Sequence, residues 1–200
     1  MKIAAVQMVS STSRDANLAQ ARGLIDEAAA QGAELVVLPE NFAFMGRADT
    51  DKLPLAEAEG EGPIQGMLAD AAQCHGLWLI GGTLPLKTPE AQRVTNSLVV
   101  YDPHGRQHAR YDKIHLFRYD EVTAAGRKLY DEGVVLRAGE VPQACEIEAR
   151  DGTKLRVGLS ICYDLRFPEL YRRLMQPPCD LIVVPSAFTY TTGKAHWEIL

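Results

Sequence analysis

A carboxylate, an ammonium group and a thiol each stand where a strand-like run of this chain stops. Glu40 follows Leu-Val-Val-Leu-Pro, Lys113 follows the run ending Ala109-Arg110-Tyr111-Asp112, and Cys162 follows Leu-Arg-Val-Gly-Leu-Ser-Ile. Open α/β sheets place their sites at such strand ends. If the three ends converge, the groups can open an amide. A free thiol has a pKa of about 8.5, so little thiolate is present at neutral pH. Glu40 would remove the proton, a role a carboxylate fills well when burial moves its pKa toward neutrality. Lys113 would favour the thiolate and stabilise the oxygen that gains charge on attack. The backbone N–H of Tyr163, next to the thiol and near a helix start, is a second donor to that oxygen.

Taken one at a time, these residues have plainer readings. A lone cysteine is usually a small buried hydrophobe. Glu40 alone reads as an exposed strand-end acid or a helix cap. Lys113 alone reads as a solvated lysine, although Tyr111, Ile114, Leu116 and Phe117 can cover its stem. Cys74, Cys145 and Cys179 lie within or beside apolar segments and read as core fillers. His115 and His196 keep open a rival Cys-His arrangement. His75, His104 and His108 fall at helix ends or in hairpins and read as surface residues.

The elements that must carry these groups alternate. Residues 2–8 read as a strand and 15–32 as an amphipathic helix with Leu18, Ala21, Leu24, Ile25 and Ala28 on one face. Leu35 to Leu38 is a short apolar strand. Pro63 opens a second helix that Gly76 closes. Residues 77–84 read as a strand. Two hairpins follow, 94–101 with 107–111 and 144–149 with 154–161, around Asp102-Pro103-His104-Gly105 and Arg150-Asp151-Gly152-Thr153. Residues 117–140 lack periodicity and read as a long functional loop. A helix over 167–175, a strand over 181–185 and a helix beginning near Lys194 complete the chain. Continuous apolar strands such as LVVL and LIVV indicate a sheet covered on both faces, and the alternation indicates α/β layers.

Two hundred residues, 46% of them apolar and 24% charged, fit one ordinary globular domain, 1–200. A formal net charge of -5 leaves no basic footprint for nucleic acid. No apolar stretch approaches the ~20 residues of a membrane span, and the N-terminus lacks a long signal-type core. Four dispersed cysteines with no CxxC offer neither a zinc site nor a disulfide framework, so a reduced, cytoplasmic setting is expected. The chain stops at Leu200 inside an uncapped helical pattern, and the expectation is that the natural protein is longer.

The stretches LPENF (38–42), YDKIHLF (111–117) and SICYDLRFPELYR (160–172) resemble the three signature motifs of the nitrilase, or carbon-nitrogen hydrolase, superfamily. VPSAFTYTTGKAHWEIL (184–200) is also similar to that family, so the likeness spans essentially the whole chain. The resemblance implies an α-β-β-α sandwich and a Glu-Lys-Cys triad, carried here by Glu40, Lys113 and Cys162. It implies no metal and no organic cofactor, and it implies association into a homo-oligomer. The wording CYDLRFPELYR and the ending TTGKAHWEIL resemble the Nit branch, the deaminated-glutathione amidase and ω-amidase-like proteins. That branch implies hydrolysis of the amide of a small 2-oxo acid to a carboxylate and ammonia through a cysteine thioester. N-carbamoyl hydrolysis, other chemistry of the same superfamily, or a silent binding subunit are the alternatives.

The same resemblance extends to a second glutamate that positions the lysine and substrate. Tyr130-Asp131-Glu132 matches the family's tyrosine-x-glutamate segment, which makes Glu132 the candidate; Gly133 follows where the family often has serine. Arg166 has the fork geometry to hold a substrate carboxylate, or it pairs with Asp164 or Glu169. Thr192 donates a hydroxyl to substrate, or with Thr191 caps the last helix.

Overall fold

In the computed structural model, which describes residues 1–123 and 126–200, the expected alternation holds, with shorter strands. Strand β1 (Ile3–Ala5) leads to helix α1 (Arg14–Ala30) and then to β2 (Leu35–Val37). The hydroxyl of Ser13 accepts the Ala16 N–H and starts α1. Gly32, at φ +83°, turns the chain after it. Helix α2 (Pro63–His75) opens on the Glu57 carboxylate, which accepts the N–H groups of Ile64 (2.6 Å) and Gln65 (3.0 Å). Gly76 closes it in the left-handed conformation.

Strands β3 (Trp78–Ile80), β4 (Leu84–Lys87), β5 (Val94–Tyr101) and β6 (Gln107–Asp112) complete the first sheet. β1, β2 and β3 run parallel. β3 and β4 pair with successive parts of one edge of β5, and β6 takes the other edge. The expected strand over 77–84 is therefore interrupted at Gly81-Gly82. A Cβ on Gly82 (φ +54°) would lie 2.1 Å from the Pro39 carbonyl oxygen. The break lets the chain leaving β2 pass against β3–β4 immediately before Glu40.

The second sheet has the order β11 (Leu181–Val183), β10 (Lys154–Leu159), β9 (Gln143–Glu148). β9 and β10 form the expected hairpin, and β11 lies parallel to β10. Helix α3 (Pro168–Leu174) flanks it, and α4 (Tyr190–His196) follows β11 in the chain. α4 starts earlier than Lys194 because Thr189 caps it.

Two apolar clusters hold the layers together. Ala21 and Ile25 of α1 and Ile64, Leu68 and Ala72 of α2 pack on Val36, Leu79 and Val99 at the outer face of the first sheet. Leu35, Ile80, Leu98, Val100 and Tyr111 meet Ile147, Val157, Leu159 and Val183 between the sheets. Leu174 of α3 reaches the far side of the second sheet at Gly158. The architecture is the expected α-β-β-α sandwich. Near-continuous burial of β5, all eight residues of it, explains why its sequence does not alternate.

Residues 117–140 are not one long loop. Arg118–Thr123 (β7) and Gly126–Asp131 (β8) pair as an antiparallel hairpin, followed by a 3-10 turn over Glu132–Val134. Ala124 and Ala125, inside that expected loop, lie outside the described residues. A further 3-10 turn, Asp49–Leu55, lies between β2 and α2. Cys74 is exposed, not core filler, whereas Cys145 is buried between the sheets.

The Gly82 contact makes a prediction. Gly82→Ala forces a side chain into backbone at a left-handed φ and should destabilise the fold by about 2 kcal/mol or more. Urea unfolding followed by circular dichroism measures this, with Gly66→Ala, which meets nothing within 4 Å, as the tolerated control.

Candidate active site

Glu40, Lys113 and Cys162 converge at one end of the space between the sheets, and Glu132 joins them. Glu40 lies just beyond β2, and Asn41 after it takes φ +55°, held by its N–H to the Thr83 hydroxyl (2.8 Å). Lys113 ends the run of β6, its N–H donating to the Asn96 carbonyl (3.0 Å). Its ammonium donates to Glu40 Oε1 (3.0 Å) and to both oxygens of Glu132 (3.2 and 3.0 Å). All three side chains are buried, Lys113 to 1% exposure. A buried ammonium is tolerable only when such partners replace water.

Each carboxylate is itself held. Glu40 Oε1 also accepts the Asn96 amide (3.1 Å), and Oε2 accepts the Ala187 N–H (3.0 Å). Glu132 Oε2 accepts the Phe117 N–H (2.7 Å), and the Glu132 N–H donates to the Phe117 carbonyl (3.0 Å). Burial works to lower the pKa of Lys113, but the charges of Glu40 and Glu132 outweigh it and hold the pKa above its usual value. The ammonium therefore stays protonated throughout the neutral range.

Cys162 opens a 3-10 turn, Cys162–Arg166, at φ +44°, with its N–H on the Pro185 carbonyl (3.0 Å). Asn41 and Cys162 are the non-glycine residues with positive φ among those described. Such conformations persist where surrounding contacts over-determine them. The thiol is pushed up to about 12, first by burial and then by the Glu40 charge; Lys113 and the Ala187 N–H pull the other way. The resting group is thus a thiol facing a carboxylate, with an ammonium beside it. That set can transfer a proton from sulfur to oxygen while sulfur attacks an electrophilic carbon.

Tyr163 follows Cys162 on the 3-10 turn, its ring edge-on to Phe117 (5.0 Å) and Phe167 (5.4 Å). Arg166 is exposed, with its guanidinium 5.9 Å from the centre of the Tyr163 ring. Asp164 is engaged by other groups and Glu169 by Arg172. Thr192 sits on the first turn of α4 with its hydroxyl on Thr189. No hydrogen bond or ion pair joins Arg166 or Thr192 to the four clustered side chains among the described residues. The His115 imidazole is turned to Asp164 (2.7 Å). Among the described residues no three His, Cys, Asp or Glu side chains are grouped to hold a metal ion. No helix among the described residues is long and apolar enough to cross a membrane.

Sequence reasoning missed Asn96, Asp164 and the Ala187 N–H. Thr95-Asn96-Ser97 was a usable signal, because three polar residues interrupt a run that is otherwise buried on both faces.

Residues 2–200 match the family model described as carbon-nitrogen hydrolase. The chain belongs to the carbon-nitrogen hydrolase family. It is 40% identical over 198 residues to a deaminated glutathione amidase of Synechocystis sp., covering 98% of this chain and 70% of that protein. It is 35% identical over 199 residues to the omega-amidase NIT2 of Homo sapiens, covering 100% of this chain and 68% of that protein. The crystal structure of the C. elegans NitFhit protein superposes with a TM-score of 0.81 at 35% identity, over 98% of this chain and 46% of that one. The likeness places this carbon-nitrogen hydrolase in the Nit branch of the nitrilase superfamily, a class that acts on non-peptide carbon–nitrogen bonds.

The buried thiol can be titrated. Thiolate absorbance near 240 nm, taken as wild type minus Cys162→Ala, should stay low past the ordinary thiol range of about 8.5 and rise only as pH approaches about 12. Because the Glu40 charge raises the pKa, Glu40→Gln should move the midpoint down. A midpoint at or below the ordinary value in the wild type would contradict this arrangement.

Proposed function

We propose that this chain is a thiol-dependent amidase in which Cys162 is the nucleophile, Glu40 the general base and acid, and Lys113 the principal stabiliser of the oxyanion. One observation carries the reading: the buried Lys113 ammonium donates to Glu40 (3.0 Å) and Glu132 (3.0 Å), where the turn that opens on Cys162 at positive φ brings in the thiol. Glu40 takes the thiol proton as sulfur bonds to the amide carbon and the carbonyl electron pair moves onto oxygen. Lys113 and the Tyr163 N–H hold that oxygen. As the C–N bond breaks, Glu40 returns the proton to the departing nitrogen, so ammonia leaves and a thioester remains. Glu40 then deprotonates a water that attacks the thioester. The C–S bond breaks, the carboxylate product departs and sulfur regains its proton. Glu132 holds Lys113 through both halves, and no metal or cofactor enters.

The substrate in this reading is a small carboxylated amide of the 2-oxo acid, deaminated-glutathione-like kind. The names of the Synechocystis and human relatives support it. Arg166 on the rim would pair with the substrate carboxylate, and the Thr192 hydroxyl would donate to it. We also propose a cytoplasmic, homo-oligomeric protein made of one domain. Four free cysteines support the first property. Tyr190, Trp197 and Ile199, all exposed around α4, support the second.

The test is ammonia release from deaminated glutathione, beside a panel of amides, nitriles and carbamoyl compounds. Cys162→Ala should lose about 10⁴-fold or more and Glu40→Gln about 10³-fold, with circular dichroism unchanged. A substrate thioester on Cys162 should be visible by mass spectrometry after rapid acid quench. Full activity in Cys162→Ala would sink the reading.

A further inference from the structure

Asp164 lies two residues beyond Cys162, is fully buried, and makes no contact with Glu40, Lys113 or Glu132 among its hydrogen bonds. Its carboxylate instead gathers four donors from two parts of the chain. Oδ2 accepts the Tyr111 hydroxyl (2.7 Å) and the Ile161 N–H (2.9 Å). Oδ1 accepts the His115 N–H (3.0 Å) and its imidazole Nδ1 (2.7 Å). Since a carboxylate accepts, the tautomer with its proton on Nδ1 is the one that fits this contact.

The positions of those donors matter. Tyr111 and His115 stand two residues before and two residues after Lys113, on both flanks of the segment that carries the ammonium. Ile161 immediately precedes Cys162, which is held at positive φ. One carboxylate thus ties both sides of Lys113 to the backbone N–H that enters the strained turn. Phe167, at the end of that turn, stacks on the His115 ring at 3.7 Å and 8° and makes a second tie between the same segments. Neither β6 nor β10 sets this distance through strand pairing, since the two strands belong to different sheets.

We infer that Asp164, clamped by Tyr111 and His115, is a positioning residue that sets the Cys162 thiol against Lys113 and Glu40. The inference rests on the proposed roles of those three residues. The clamp touches no reacting atom; its effect passes through the backbone of Ile161 and the two flanks of Lys113. Asparagine at 164 keeps the shape but turns an NH₂ toward one of the two backbone N–H donors, so one half of the clamp must open.

The experiment compares full-length wild type with Asp164→Asn, Tyr111→Phe, His115→Asn, His115→Leu and Cys162→Ala. Deaminated glutathione is the substrate for steady-state kinetics. Iodoacetamide labelling of Cys162, read by mass spectrometry, is the substrate-independent measure. Asp164→Asn should lower kcat by about 10²-fold with KM within about threefold, since misplacement of about 1 Å costs that much in a positioned site. It should slow labelling as well. Tyr111→Phe should cost about tenfold alone and add little in the Asp164→Asn background, as expected of groups acting through one carboxylate. His115→Asn places an N–H near the position of Nδ1–H and should keep most of the activity that His115→Leu loses.

Unchanged kcat and labelling in Asp164→Asn, or a loss confined to KM, would overturn the inference. So would His115→Asn failing as badly as His115→Leu, which would give the imidazole a proton-transfer role instead. If Asp164→Asn does not fold, the Tyr111 and His115 variants decide the matter. Activity surviving in Cys162→Ala would overturn the underlying amidase reading and not the clamp alone. If the wild type leaves deaminated glutathione intact, the labelling rates alone judge the clamp.

Discussion

Lys113 brings a full positive charge into the interior, and the arrangement around it follows from the need to replace the water it has lost. An unpaired ammonium there would be driven to lose its proton. Glu40 and Glu132 supply opposite charge from two sides, and with Lys113 at 1% exposure there is little competing solvent. Two carboxylates around one cation leave an excess negative charge that also needs partners. Asn96, the Ala187 N–H and the Phe117 N–H meet that need. These donors come from β5, the segment after β11 and the segment after β6. Satisfying one buried charge therefore draws the ends of both sheets together.

Such convergence cannot be reached with relaxed backbone everywhere. Asn41 and Cys162 both take left-handed conformations directly beside or at the clustered groups. Each is a strained choice for a residue with a Cβ, of the order of 1–3 kcal/mol. Gly82 contributes the complementary device, an absent side chain where the backbone before Glu40 crosses β3–β4. The sandwich core between the sheets offsets these costs with apolar contacts that do not depend on the site, from Leu35 and Ile80 on one side to Ile147 and Leu159 on the other.

Much of this was legible in the amino-acid order, and for unequal reasons. The helices 14–30 and 63–75 were readable because caps and an apolar stripe mark them. The two hairpins were readable because Asp-Pro-x-Gly and Asp-Gly turns mark theirs. Glu40, Lys113 and Cys162 stood out because each ends a run of β-formers, and three family motifs in order strengthened the resemblance. Residues 117–140 misled because the β7–β8 strands carry little apolar alternation; the pairing there is set by the hairpin itself. Gly81-Gly82 concealed a strand break, since the surrounding residues are apolar enough for one continuous strand. Thr95-Asn96-Ser97 marked Asn96 as unusual, but which groups it and Asp164 would meet depends on which strands become neighbours, information that resides in packing.

The raised pKa of Cys162 then bears on how a reaction at this site would proceed. Forming a free thiolate at pH 7 from a thiol pushed up to about 12 costs about 7 kcal/mol. A site that first ionises and then waits for substrate would sacrifice much of its rate to that step. On the proposed reading the proton moves to Glu40 while the carbon–sulfur bond forms, so the full thiolate never has to exist. Lys113 contributes where it is most effective, because the negative charge created by attack appears on a carbonyl oxygen and not on sulfur. The same burial that suppresses the resting thiolate strengthens that later interaction, since both act through the exclusion of water. A thiol kept neutral between turnovers is also a weak target for oxidants that act on the free thiolate. In this geometry protection and catalysis share one physical cause, the burial that Lys113 and its two carboxylates make tolerable.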